Sequence, residues 1–142
     1  MFLKLEGVSV RYTRGSGSRA AVEAATLGLQ QGQIGVLIGP SGCGKTSLLR
    51  AVAGLERIEA GRIGMGGTVL SDAGARVHLA PEARRIGMVF QDYALFPHLS
   101  VADNVAFGVQ HLPGSDRGAR VQQMLDLVGL GHAAKRAPHQ LS

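Results

Sequence analysis

Gly39-Pro40-Ser41-Gly42-Cys43-Gly44-Lys45-Thr46 is the stretch on which the fold turns. It fits G-x-x-x-x-G-K-[ST], the phosphate-binding loop. Its flanks fit as well. Upstream, Ile34-Gly35-Val36-Leu37-Ile38 is a short apolar run, which predicts a buried strand. Downstream, Leu48, Leu49, Val52 and Ala53 recur at helical spacing, and Gly54 stands where a helix would stop. Strand, glycine loop and helix together aim free backbone N–H groups at an anion, and the helix N-terminus adds about half a positive charge. In this pattern Lys45 reaches the β- and γ-phosphates of a nucleotide and the Thr46 hydroxyl binds Mg²⁺.

Working outward, the 142 residues suit one domain or part of a larger one. The hydrophobic share of 45% is ordinary for a globular chain, and the 21 glycines show no fixed period. A net charge of +5 admits nucleic acid, a membrane surface or phosphate ligands as partners. No arginine-rich run or aromatic interleaving accompanies it, which disfavours nucleic acid. The single cysteine, Cys43, lies inside the loop, so no disulfide framework is expected and a reducing compartment fits. No apolar stretch approaches the ~18 residues of a membrane span. Lys4 and Glu6 come too early for a signal peptide. A soluble, cytoplasmic chain is expected.

Phe2 to Tyr12 reads as a strand with a defect. Leu3 and Leu5 are apolar on odd positions, Val8 and Val10 on even ones, so the register slips around Gly7. Arg14-Gly15-Ser16-Gly17-Ser18 reads as a turn, and Ala25, Leu27 and Leu29 alternate in a second, antiparallel strand. Tyr12 is either an ordinary strand aromatic or a ring placed to stack on a base. Residues 56–61 read as a turn, residues 62–70 as glycine-broken strand, and residues 71–76 and 78–85 as loop. Ile86-Gly87-Met88-Val89-Phe90 predicts a second buried strand, ending at Gln91. Ligands of open α/β sheets bind at such ends, so Gln91 either reaches a metal or water or merely caps the strand. Tyr93-Ala94-Leu95-Phe96-Pro97-His98-Leu99 is an apolar loop, either a buried connection or a docking surface. Ser100 to Asp103 resembles a capping box that opens a helix through about Phe107. Leu112-Pro113-Gly114-Ser115 breaks the chain, and Val121, Met124, Leu125 and Val128 then follow helical spacing up to Gly129. Met124 is expected in the core. His132 and His139 lack metal-ligand spacing and are expected on the surface.

Taken together, the loop, Tyr12, the strand ending in Gln91 and the Tyr93–Leu99 segment resemble the nucleotide-binding subunit of ATP-binding cassette (ABC) transporters. The likeness runs the length of the chain. It implies an α/β P-loop NTPase fold with an N-terminal antiparallel β subdomain (1–33), a P-loop core up to the Q-loop (34–91) and the start of a helical subdomain (92–142). It implies ATP and Mg²⁺ as cofactors. The implied nucleotide contacts are Tyr12, stacked on adenine, and Gly39, Pro40, Ser41, Gly42, Cys43, Gly44, Lys45, Thr46 and Ser47. Ser47 stands where the family often has threonine. Thr46 and Gln91 are the implied metal ligands, and Lys45 and Gln91 the catalytic pair. The implied partners are a second ATPase subunit in a homodimer, transmembrane permease subunits that dock at Tyr93–Leu99, and, indirectly, a periplasmic solute-binding protein. Nucleic acid is not among them. The implied location is peripheral, on the cytoplasmic face of a bacterial inner membrane. Phe90–His98 is similar to importers of ferric iron, polyamines and sulfate, and Asp92 with Ser100–Gly108 leans towards ferric iron, with polyamine, sulfate or phosphonate importers as alternatives. A soluble ABC-type ATPase that acts on nucleic acid or ribosomes is the runner-up.

Leu141-Ser142 resembles the first two residues of the Leu-Ser-Gly-Gly-Gln signature. The Walker B aspartate, the catalytic glutamate and the switch histidine would follow it in the family. The expectation is therefore an N-terminal part truncated before Walker B. Such a chain should bind ATP weakly, leave hydrolysis at background, and be marginally stable or self-associated.

Overall fold

The computed structural model of the protein describes residues 1–14 and 17–141. It contains two compact units, Met1–Met88 and Val89–Ser142.

The first unit is built on a hairpin of β1 (Leu3–Arg14) and β2 (Gly17–Leu29). Leu3 faces Leu29, Leu5 faces Leu27 and Val8 faces Ala25. The expected slip occurs between Leu5 and Val8, where Gly7 has φ 57° and its N–H donates to Thr26 Oγ1 at 3.0 Å. A slip in register exchanges the two faces of a strand. Leu5, Val8 and Val10 are therefore all buried although their numbers change parity. Strands pair as far as Arg14 and Gly17, so Arg14, Gly17 and Ser18 of the expected turn belong to strands; Gly15 and Ser16 lie outside the described residues. The glycine-broken stretch is a second hairpin, β3 (Ala60–Met65) and β4 (Thr68–Asp72), turned at Gly66-Gly67. Part of the expected loop joins it. β4 runs on to Asp72, and β5 (Val77–His78) pairs with Ser71 and Asp72. The described strands form one antiparallel sheet in the order β2-β1-β3-β4-β5. Helix α1 (Lys45–Ala53) sends Leu48 and Ala51 into a core shared with Leu5, Val8, Val10, Ile63 and Leu70.

Two expectations fail. Residues 34–38 and 86–90 form no strand. Ile34 and Ile38 are each 91% exposed, and Val89 is 98% exposed. Apolar content favours an extended, buried conformation, but a strand exists only through the hydrogen bonds of a neighbour. No described strand pairs with either run.

In the second unit, α2 (Val101–Phe107) is capped as expected: the Asp103 N–H donates to Ser100 Oγ at 3.1 Å. Helix α3 (Gly114–Leu127) starts directly after Pro113, earlier than the apolar stripe suggested. Val121 and Leu125 are buried with Val101, while Met124 is only half-buried. Val128 lies past the helix end and is 64% exposed, so the stripe stops one turn short of the sequence reading. Among the described residues no helix is long and apolar enough to cross a membrane.

Candidate functional site

Helix α1 begins at Lys45 with Gly44 as its N-cap, and no side chain caps it. Its first intrahelical bond runs from the Leu48 N–H to the Gly44 carbonyl at 2.9 Å. The Lys45, Thr46 and Ser47 N–H groups precede that bond and have no intrahelical acceptor. No acidic residue lies in the first turn. Gly44 sits at φ 96°, and a Cβ there would come within 2.1 Å of the Ala21 carbonyl oxygen. The loop is thus pressed against β2 as only a glycine permits. Gly42 is also left-handed, at φ 80°, a backbone alternation that suits an anion nest.

Lys45 arches back over this nest. Its ammonium donates to the Gly39 carbonyl at 2.8 Å and the Pro40 carbonyl at 2.7 Å, and lies 3.4 Å from Cys43 Sγ. Ser41 and Cys43 are exposed on the rim, and Thr46 opens to solvent. Tyr12 reaches the site from β1: its hydroxyl donates to Ser47 Oγ at 3.2 Å, and the residue is 37% exposed. Free amides, a cation, no carboxylate and a cradle that a Cβ would fill are together the features a phosphate group requires. The structure brings together Tyr12 and the 39–47 residues. Gln91 belongs to the second unit, where it is exposed and outside any helix or strand.

In that second unit Tyr93 is 88% exposed, whereas Phe96 packs on Phe107 with ring centroids 4.7 Å apart. Asn104 fixes the segment. Its Oδ1 accepts from the Phe96 N–H at 2.9 Å, and its Nδ2 donates to the Phe96, Leu99 and Ser100 carbonyls at 3.1, 3.3 and 2.9 Å. Sequence reasoning missed this role of Asn104, and it missed Arg84, which is buried in the first unit. A polar residue in a helix four positions after its N-cap is a weak cue for Asn104. Arg84 carries no local cue, because its partners lie in distant elements.

Comparison with known proteins gives consistent matches. The family model described as ABC transporter matches residues 22–142. The chain is 43% identical over 143 residues to the spermidine/putrescine import ATP-binding protein PotA of Pseudomonas fluorescens, covering 99% of this chain and 38% of that protein. It is 42% identical over 148 residues to the sulfate/thiosulfate import ATP-binding protein CysA 1 of Shewanella oneidensis, covering 100% of this chain and 37% of that one. The chain thus spans well under half the length of these relatives. Among solved structures, the dimeric post-hydrolysis state of the ATP-binding cassette MJ0796, bound to ADP and Pi, superposes with a TM-score of 0.84 at 27% identity. That match covers 99% of this chain and 63% of the other. The expected ABC ATPase fold is therefore shown.

Proposed function

This chain belongs to the ABC transporter family, and we propose from that premise that it supplies the ATP-binding part of the energy-coupling subunit of a bacterial importer. The observation that carries the reading is the loop itself: Gly44 against the Ala21 carbonyl, free amides at Lys45–Ser47, and the Lys45 ammonium above them. The backbone of residues 39–47 and Lys45 hold the triphosphate, and Tyr12 offers its ring to the adenine. Thr46 would hold Mg²⁺, which neutralises phosphate charge when bound. Lys45 can only donate and the Gln91 amide is no base near pH 7, so these residues bind and orient without removing a proton.

The importer reading draws support from the printed functions of the relatives, spermidine/putrescine import and sulfate/thiosulfate import. Those solutes are favoured over ferric iron, towards which Asp92 and Ser100–Gly108 leaned. In this reading a second ATPase subunit and membrane-spanning permeases complete the assembly, the latter at Tyr93–Leu99, with a solute-binding protein beyond them. The chain then sits peripherally on the cytoplasmic face of the inner membrane.

Titration of ATP with Mg²⁺ into the wild-type chain and Lys45→Ala tests the reading. Saturable binding that weakens at least tenfold in the variant supports it. Equal binding by the two, or none by the wild type, overturns it. Recovery of the expressed protein with RNA rather than with an integral membrane protein would favour the soluble ATPase instead.

A further inference from the structure

Arg84 is 2% exposed, and it follows the single 3₁₀ turn Pro81–Ala83 in a stretch otherwise without helix or strand. A buried charge is costly unless every polar hydrogen finds an acceptor. Here all five do. Nε donates to the Leu79 carbonyl at 2.8 Å, and Nη1 to the Ala51 and Val52 carbonyls at 3.0 Å each. Nη2 donates to Ser71 Oγ at 2.8 Å and meets His78 Nδ1 at 3.3 Å. A guanidinium has no acceptor, so Nδ1 of His78 accepts and the histidine is neutral in this arrangement.

None of these five acceptors is a carboxylate. The charge is offset instead by the last-turn carbonyls of α1, the negative pole of the helix that carries the phosphate loop. Gly54 completes the joint. It ends α1 at φ 86°, and a Cβ there would lie 2.4 Å from Arg84 Nε. The glycine that stops the helix is also the one that lets the guanidinium in. Through Ser71 on β4 and His78 on β5, Arg84 bolts the rear of α1 to the sheet edge. The front of the same helix rests on β2 through Gly44. Nine residues, about 13 Å at the helical rise, separate the two supports.

We infer that Arg84 is a positioning residue of the nucleotide site, which holds the C-terminal end of α1 so that the amides at its N-terminal end keep their phosphate-binding geometry. This rests on the ATP-binding reading and names a residue that acts on it without touching nucleotide. A short helix clamped at one end pivots; clamped at both, it keeps the nest closed. Pairing the negative pole with a cation also leaves the positive pole at residues 45–47 less opposed.

The test measures ATP affinity for wild type, Arg84→Lys and Arg84→Gln well below each protein's thermal transition. Hydrogen exchange is followed at the Leu48 amide, the first bond of α1. Arg84→Gln should bind ATP five- to twentyfold more weakly and exchange Leu48 faster, with Arg84→Lys in between because it restores the charge but not the five-way geometry. If Arg84→Gln does not fold, Ser71→Ala takes its place. It removes one acceptor and should give a two- to threefold loss with faster Leu48 exchange. Unchanged affinity and unchanged Leu48 exchange in a folded variant would overturn the inference while leaving the ATP reading intact. Failure of the wild type to bind ATP would instead remove the reading on which the inference stands.

Discussion

The Tyr12 hydroxyl donates to the Ser47 hydroxyl at 3.2 Å, which ties a residue of β1 to the first turn of α1. The bond holds the ring at the edge of the phosphate nest, where it is 37% exposed. Ring and hydroxyl can be separated by mutation. Tyr12→Phe keeps the stacking face and loses one exposed hydrogen bond, worth about 0.5–1.5 kcal/mol at most. ATP affinity should change less than threefold. Tyr12→Ala removes the face, and stacking on an aromatic contributes ~1–3 kcal/mol per base. Affinity for ATP should then fall roughly 5–100-fold at 1.4 kcal/mol per decade, while affinity for inorganic pyrophosphate stays the same. Competition titration with both ligands checks the pair. A larger loss in Tyr12→Phe than in Tyr12→Ala would contradict the stacking role.

The two positive-φ glycines of the loop predict unequal damage. Gly42→Ala meets open space, so only the backbone strain of φ 80° opposes it, of order 1–2 kcal/mol. Gly44→Ala adds to a similar strain a Cβ 2.1 Å from the Ala21 carbonyl oxygen, which the sheet cannot easily yield. The loop must lift from β2. Chemical denaturation should show a clearly greater stability loss for Gly44→Ala. That variant should also lose ATP binding at temperatures where Gly42→Ala still binds.

Acid should loosen the Arg84 joint through His78. Burial lowers the His78 pKa from its ordinary 6.5, the charges of Arg84 and then Arg57 lower it further, and a hydrogen bond to the Gly54 backbone opposes them. Glu59, Asp72 and Arg76 line the same cleft, of about 280 Å³. The folded chain therefore takes up this proton at lower pH than the unfolded chain. With more protons on the unfolded state, stability rises with pH. It should be fully present above 6.5 and be lost as pH falls from there through the depressed value. Denaturation curves between pH 5 and 8 should show that slope for the wild type. His78→Asn, which keeps a polar side chain but cannot titrate, should flatten it.

Much of the first unit was legible because its signals are local. The loop pattern, the stop at Gly54 and the slip at Gly7 all concern neighbours in the chain, and the structure has all three. The strand expected at Ile34–Ile38 failed for the opposite reason. Its apolar residues describe an environment, and that environment is a neighbouring strand which the described residues do not supply. Val128 misled because helical spacing does not show which residue is the last helical one; Leu127 is, and Val128 is the C-cap before Gly129 at φ 71°. Arg84 was invisible because its acceptors come from α1, β4, β5 and Leu79 just past β5. Within the site, Lys45 was read from the motif and Ser47 from the family resemblance, but the hydroxyl bond joining Tyr12 to Ser47 depends on how β1 lies beside α1. A one-dimensional pattern contains no such information.

Asn104 shows how a loop that looks unstructured can be held in one shape. One side chain supplies both an acceptor and donors to the backbone of residues 96–100. Asn104→Ala removes all four bonds. The freed groups are at or near the surface, where water can replace part of the loss, so the stability cost should be only about 1–2 kcal/mol. Local order should suffer more. With Phe96 released from Asn104, its packing on Phe107 is the chief remaining anchor. Proteolytic cleavage within 93–99 should accelerate several-fold. Asn104→Asp is the informative comparison, because it retains the acceptor for the Phe96 N–H and turns an anion toward the three carbonyls that the amide served. It should be no better than alanine, and worse above the carboxylate's pKa. Limited proteolysis, with hydrogen exchange at the Phe96 amide, measures both variants. An aspartate that restores wild-type protection would mean that the single bond to Phe96 N, rather than the donors to the carbonyls, holds the segment.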